Sequence, residues 1–130
     1  MTAPAPPARQ RPRVMLGNLE PIARVGMSRL LLEDGIEIIG DGTQPAGLVL
    51  DAARLRPDTV VLALDQTASR ELSDRVREAS PHTKVVLWAR TENVMEVIDP
   101  GATRPRWVVS GIPEELLAEL STLQITRAEE

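Results

Sequence analysis

The most constraining feature of this chain is a continuous apolar segment near its middle, Thr59-Val-Val-Leu-Ala-Leu64. After Thr59 the segment has no polar residue, and its length suits a single strand. A continuous rather than alternating apolar pattern is typical of a parallel strand buried on both faces. Parallel strands need crossover connections, so we expect helices on both faces of a sheet.

The rest of the chain repeats this arrangement of apolar segments and helical patterns. Further strands are predicted at 14–16, 36–39, 84–88 and 106–109. Helices are predicted at 20–34, 68–79 and 91–98. Another helix is predicted to begin at a Thr43 cap and to bury Leu48, Leu50 and Leu55. A last helix is predicted to begin at Pro113 and to bury Leu116, Leu117 and Leu120. Strands that alternate with helices predict an α/β fold with a doubly wound, five-stranded parallel sheet. This layout resembles the flavodoxin-like class, whose strand order is 2-1-3-4-5.

Length and composition indicate one domain with short tails. We expect a Pro-rich, disordered tail over residues 1–12, a folded domain over 13–122, and a tail or linker over 123–130. The net charge of −4 and the scattered basic residues argue against a nucleic-acid-binding face. No apolar run is long enough for a membrane span and no secretory signal is evident, so we expect a cytoplasmic protein without membrane contact.

Four segments in the predicted domain resemble receiver domains of bacterial response regulators of the NarL/FixJ (LuxR-type) family. They are RVMLGNLEPIARVGMSRLLLEDGIEIIGD, LRPDTVVLALD, TKVVLWA and WVVSGIPEELLAEL, and they follow the family's order of five strands over about residues 13–122. The family implies two acidic Mg²⁺ ligands after the first strand and a phosphate-accepting Asp at the end of the third. It also implies a Ser or Thr after the fourth strand and a Lys after the fifth.

All five of these family positions differ in this chain. Asn18 and Leu19 stand at the metal-ligand positions, Ala63 at the acceptor, Ala89 at the hydroxyl position and Ser110 at the lysine position. Mg²⁺ prefers several oxygen ligands, and Leu and Ala have none to offer. The resemblance therefore implies a degenerate pseudo-receiver that is not an enzyme and holds no metal or cofactor.

Two carboxylates near these positions leave other interpretations open. Asp65 would be a displaced phosphate acceptor, although a loop or capping role is the simpler interpretation. Glu20 with Asn18 would supply too few oxygen ligands for Mg²⁺, and a carboxylate that starts a helix is favoured by the helix dipole. His82, the single histidine, is expected in a surface turn.

In proteins of this family, the last sheet edge and its flanking helices change shape on activation and form dimers. The resemblance therefore implies that residues 88–122 contain the interaction surface of this chain. Trp88, Trp107, Arg104 and Arg106 are the candidate interaction surface, since Trp is enriched in interfaces, although it is also a common core residue. The loop Thr103-Arg-Pro-Arg106 departs from the family. We therefore expect a phosphorylation-independent regulatory module in signal transduction or transcription control, acting through protein contacts, most simply a homodimer.

Two alternatives remain at this stage. In the first, a small ligand occupies the vacated phosphorylation pocket, lined by Gly17, Asn18, Ala63, Ala89 and Ser110. In the second, the chain is the receiver half of a DNA-binding regulator. Residues 125–130 resemble the start of that family's helix-turn-helix domain, and Thr126 and Glu129 have capping-box spacing.

Overall fold

The chain alternates strands with helices over most of its length and changes this pattern near its end. A computed structural model describes residues 11–42, 44–64, 68–89, 94–109 and 113–121. The elements are β1 (Arg13–Gly17), α1 (Pro21–Glu33), β2 (Glu37–Gly42), α2 (Pro45–Leu55), β3 (Thr59–Ala63), α3 (Ser69–Ala79), β4 (Lys84–Ala89), β5 (Val94–Ile98), β6 (Arg106–Val109) and α4 (Pro113–Leu120).

These elements form an α/β fold around one mixed sheet. Its six described strands have the order β2-β1-β3-β4-β5-β6. The pairs β1–β2, β1–β3 and β3–β4 are parallel, whereas β4–β5 and β5–β6 are antiparallel. The α/β class and the order of the first four strands are confirmed, and the prediction of a five-stranded, fully parallel sheet is wrong.

The error lies in residues 91–98, which were predicted as a helix. Val94–Ile98 form β5, which pairs with β4 from Val85↔Ile98 to Ala89↔Val94. The side chains alternate: Met95 and Val97 pack in the cluster under α1 and α4, and Ile98 packs on the opposite face. β-Branched residues favour the pleated conformation, and a short connection returns a strand antiparallel to its neighbour.

Two apolar layers cover the sheet, one on each face. Leu16, Val61 and Val86 pack with α1 and α4, while Met15, Val60 and Leu62 pack with α2 and α3. Every residue of Thr59–Ala63 is buried, which confirms the prediction of a central strand covered on both faces.

The helices bury fewer residues than their sequences predict. Leu50, expected on the buried side of α2, is 70% exposed, and the cap of α2 is Gln44 rather than Thr43. In contrast, Leu116 and Leu120 of α4 are buried as predicted, and Leu117 packs against the same cluster. His82 is exposed in a turn, as predicted.

Residues 1–10 and 122–130 lie outside the described residues, and with them most of the predicted N-terminal tail and the segment that resembles a helix-turn-helix start. Within the described ranges, no helix combines the length and the apolar composition that crossing a bilayer requires.

Candidate functional site

A closed set of hydrogen bonds joins the carboxyl ends of β1 and β3 to the start of α3. The Asn18 Oδ1 atom accepts a hydrogen bond from the Ala63 backbone N–H at 2.9 Å, and Asn18 Nδ2 donates to Ser69 Oγ at 2.9 Å. The Ser69 hydroxyl donates to the Ala63 carbonyl oxygen. The polar groups of these three residues, all neutral, therefore form hydrogen bonds with one another at positions that the resemblance assigns to a degenerate phosphorylation site.

The backbone at Asn18 makes this arrangement possible. Asn18 has φ 43°, in the left-handed region, which Asn tolerates better than most residues. This conformation follows β1 directly and turns the amide toward β3. Ser69 is fully buried, so its hydroxyl needs an internal partner, and the Ala63 carbonyl supplies it.

The other predicted site positions are apolar and buried where the structure describes them. Leu19 and Ala63 belong to the core cluster under α1 and α4, and Ala89 is buried at the end of β4. Ser110 and Asp65 lie outside the described residues. Glu20 is exposed at the start of α1. Over the described part of the chain, no group of three or more His, Cys, Asp and Glu residues is placed to hold a metal ion.

The neighbouring space on the α2 side of Gly17 is filled by leucine side chains. A Cβ atom on Gly17 would lie 2.5 Å from Leu48 Cδ2 and 3.0 Å from Leu62 Cδ2. Such distances leave no room even for a methyl group without movement of these side chains. At Gly17 the strand end is therefore closely packed.

The predicted interaction residues separate into two kinds. Trp107 is 58% exposed on β6, and Arg104 is exposed without a hydrogen bond or ion pair to another described residue. Trp88 is half-buried and packs against the cluster under α1 and α4. Arg106 donates to Asp99 Oδ2 at 2.6 Å and to Glu119 Oε1 at 3.2 Å. Trp107 and Arg104 are thus exposed to solvent, whereas Trp88 packs against the core and Arg106 is ion-paired within the domain.

Arg106 belongs to an ion-pair network that ties α4 to the sheet. Lys84, almost fully buried at the start of β4, donates through Nζ to the Glu119 carbonyl at 2.7 Å and contacts Glu119 Oε2 at 3.2 Å. The hydrogen bond from Arg106 holds the pKa of Asp99 below its usual value. Burial would raise the pKa of Glu119, but the hydrogen bonds from Arg106 and Lys84, together with the positive charges of these two residues, outweigh burial and lower it.

A second polar group, which the sequence reasoning missed, lies between α3, β5 and the loop before β6. Glu96 is 2% exposed, and its Oε1 accepts from Arg70 Nη1 at 2.8 Å while Arg70 Nη2 lies 2.7 Å from Oε2. The hydrogen bond to Glu96 raises the pKa of Arg70. The predicted helix at 91–98 concealed this group. A glutamate between Met95 and Val97 in a β-branched segment was the available signal.

No family model matches the chain, and no curated protein is significantly similar to it in sequence. The receiver resemblance therefore stays a prediction from the four sequence segments.

Proposed function

We propose that this chain is a non-catalytic regulatory module, a pseudo-receiver that acts through protein contacts in bacterial signal transduction or transcription control. The observation that carries the proposal is the neutral hydrogen-bond set of Asn18, Ala63 and Ser69. Phosphoryl transfer to a receiver needs an acceptor carboxylate and charge-neutralising cation ligands. Here the partly buried amide of Asn18 and the buried hydroxyl of Ser69 bond to each other and to the backbone of Ala63.

The open edge of the sheet supports self-association as the form of contact. β6 pairs with β5 on one side, and its other side pairs with no described strand. An unpaired edge offers backbone donors and acceptors to another strand. Trp107 is exposed on this strand, and the charge of Arg106 is already offset by Asp99 and Glu119. We propose a homodimer in which two β6 edges meet.

A second exposed apolar surface lies on α1 and serves as the comparison for this interface. Ile22, Val25 and Leu32 are 79%, 64% and 63% exposed, and their spacing places them along one side of the helix. Exposed apolar patches mark contact sites in many proteins. An interface on α1 instead of β6 is a distinct outcome of the dimer experiment.

Incubation with acetyl phosphate and Mg²⁺, followed by intact-mass measurement, tests the non-catalytic part of the proposal. We expect no phosphoryl adduct. The Asp65→Asn variant is the matched sample, because an adduct that forms on the natural chain and disappears in this variant identifies Asp65 as an acceptor. That result would overturn the proposal.

Sedimentation over a range of concentrations tests the dimer. We expect the natural chain to associate, Trp107→Ala to shift the equilibrium toward monomer, and the Ile22→Ser/Val25→Ser variant to associate normally. Monomer at all concentrations would contradict self-association. Association that survives Trp107→Ala and fails in the α1 variant would contradict the β6 interface.

A further inference from the structure

A cavity lies on the α3 side of the antiparallel edge, apart from the proposed dimer edge and from the Asn18 group. Its volume is about 220 Å³, and it lies between α3, β5 and the 103–105 loop. The lining residues that carry polar groups are Arg70, Ser73, Asp74, Arg77, Glu96, Thr103 and Arg104. This is the part of the sheet where β5 replaces the predicted helix.

The walls of the cavity are held in place by interactions of their own. Arg77 Nη2 donates to the Ala102 carbonyl at 2.6 Å, which fixes the loop against α3. The ion pair between Asp99 and Arg106 holds the two ends of the same loop together, and Gly101 adopts φ 77° in its turn. A cavity with fixed walls costs little conformational entropy when it binds a ligand.

Two buried side-chain atoms of the wall make no hydrogen bond, Ser73 Oγ and Glu96 Oε2, and of these only Glu96 Oε2 has an ion-pair contact, with Arg70 Nη2 at 2.7 Å. Ser73 is 1% exposed and lines the cavity, and its hydroxyl makes no hydrogen bond. Buried hydroxyls nearly always have a partner, and an unsatisfied one costs roughly 1–3 kcal/mol. Its presence in the lining points to a bound group that completes the hydrogen bonding.

The charges around the cavity favour an anion. Arg70 is paired with Glu96, which leaves Arg77 and Arg104 against the single carboxylate of Asp74. Arg104 makes no hydrogen bond or ion pair with another described residue. Guanidinium groups bind carboxylate and phosphate oxygens through paired N–H donors, and a hydroxyl adds a further donor.

We propose that this cavity binds a small organic anion through its carboxylate or phosphate group, with Arg77, Arg104 and the Ser73 hydroxyl as donors. The Thr103-Arg-Pro-Arg106 loop, which departs from the receiver pattern in sequence, then forms one wall of a ligand site. The site is independent of the proposed dimer, so either can fail without the other.

Titrations of the ¹⁵N-labelled chain at constant ionic strength test this site, with inorganic phosphate in one series and succinate in the other. We expect saturable shifts in the backbone amides of residues 73–77, 96–98, 103 and 104 in at least one series, and the responding series identifies the preferred group. Absence of saturable shifts in both series would overturn the proposal.

Two arginine variants separate specific binding from general attraction of anions. Arg104→Gln is expected to weaken binding by roughly tenfold or more, because it removes a charge-assisted donor. Arg29→Gln, an exposed arginine on α1 across the sheet, is the matched control and is expected to bind normally. Equal affinity in the Arg104 and Arg29 variants would contradict the site.

Ser73→Ala gives a readout that a purely structural role would not produce. Because the hydroxyl has no partner in the free chain, its removal is expected to leave the free chain equally or more stable. The same variant is expected to weaken anion binding severalfold. A loss of stability without any change in affinity would assign Ser73 to the fold and contradict its role as a donor.

Discussion

The two ends of the sheet are stabilised in different ways. In the parallel part, β3 is buried along its whole length, and its strand end is completed by the neutral hydrogen bonds of Asn18 and Ser69. The antiparallel part has a buried Glu96 facing Arg70 and the network of Lys84, Glu119, Arg106 and Asp99. Apolar burial therefore dominates one end, and paired charges position the elements at the other.

This difference also divides the possible functions. At the carboxyl ends of the parallel strands, Asn18, Ala63 and Ser69 satisfy one another's polar groups, which suits a structural role. The antiparallel edge has an exposed Trp107, an Arg104 without a described partner and an unsatisfied Ser73 hydroxyl. Groups without internal partners are the ones available to a ligand or another chain.

The largest effect is expected from the apolar end. Leu62→Ala removes a fully buried side chain from β3, and we expect the free energy of unfolding to fall by about 2–5 kcal/mol. The exposed Leu50 gives a matched control, because Leu50→Ala is expected to change stability by no more than about 0.5 kcal/mol. Urea unfolding followed by tryptophan fluorescence measures both. Similar losses in the two variants would contradict the burial described here.

The second largest loss of stability is expected from the ion-pair network at the antiparallel end of the sheet. Glu119→Gln leaves the buried Lys84 ammonium without this negatively charged partner, and we expect a loss of about 2–3 kcal/mol. Glu33→Gln, an exposed glutamate at the end of α1, is expected to have little effect.

Adding Lys84→Met to Glu119→Gln distinguishes an unpaired charge from general damage to α4. The apolar side chain removes the buried ammonium, so the double variant should recover part of the stability that Glu119→Gln loses. A double variant less stable than Glu119→Gln would show that Lys84 stabilises the domain without its carboxylate partner.

A smaller effect is expected at Asn18. Asn18→Ala removes both side-chain hydrogen bonds and places alanine at φ 43°, for an expected loss of about 1–3 kcal/mol in urea unfolding. Asn18→Gly removes the same hydrogen bonds without the backbone strain and should be the more stable of the two. Equal stabilities would mean that the backbone conformation contributes nothing.

The smallest expected effect is the change of stability with pH. The folded state lowers the pKa of Asp99 and of Glu119, so it favours their charged forms. Their contribution is present above the unfolded pKa values, about 4, and is lost as pH falls through the lower folded values. We expect the urea midpoint to decline below about pH 5, and less steeply in the Asp99→Asn/Glu119→Gln variant. Parallel pH profiles would contradict the network.

Most elements of the fold were predictable from local pattern. The continuous apolar segment 59–64 identified a central strand, and the apolar pattern after Pro113 predicted a helix with Leu116 and Leu120 buried. The helical pattern at 20–34 predicted α1 but did not indicate which side of the helix faces the sheet. Ile22, Val25 and Leu32 are exposed, because a helix that is apolar on several sides does not itself specify which side is buried.

The candidate sites were less predictable than the strands. The sequence identified Asn18 as a site position at the end of β1. Its hydrogen bond to Ser69 could not be predicted, because the two residues are 51 positions apart in the chain. The cavity depended on the pairing of β5 with β4, which the predicted helix at 91–98 excluded. Short apolar segments fit a strand or a buried helix, and only the available sheet edge decides between them.

The sequence by itself determined the positions of the first four strands along the chain, the burial of β3 and the absence of oxygen-bearing side chains at Leu19, Ala63 and Ala89. The tertiary structure decided the antiparallel edge, the pairing of Glu96 with Arg70 and the cavity beside Ser73. The reason is that side-chain chemistry and apolar periodicity are local properties. Strand direction and the meeting of distant charges depend on which surfaces the rest of the chain leaves open.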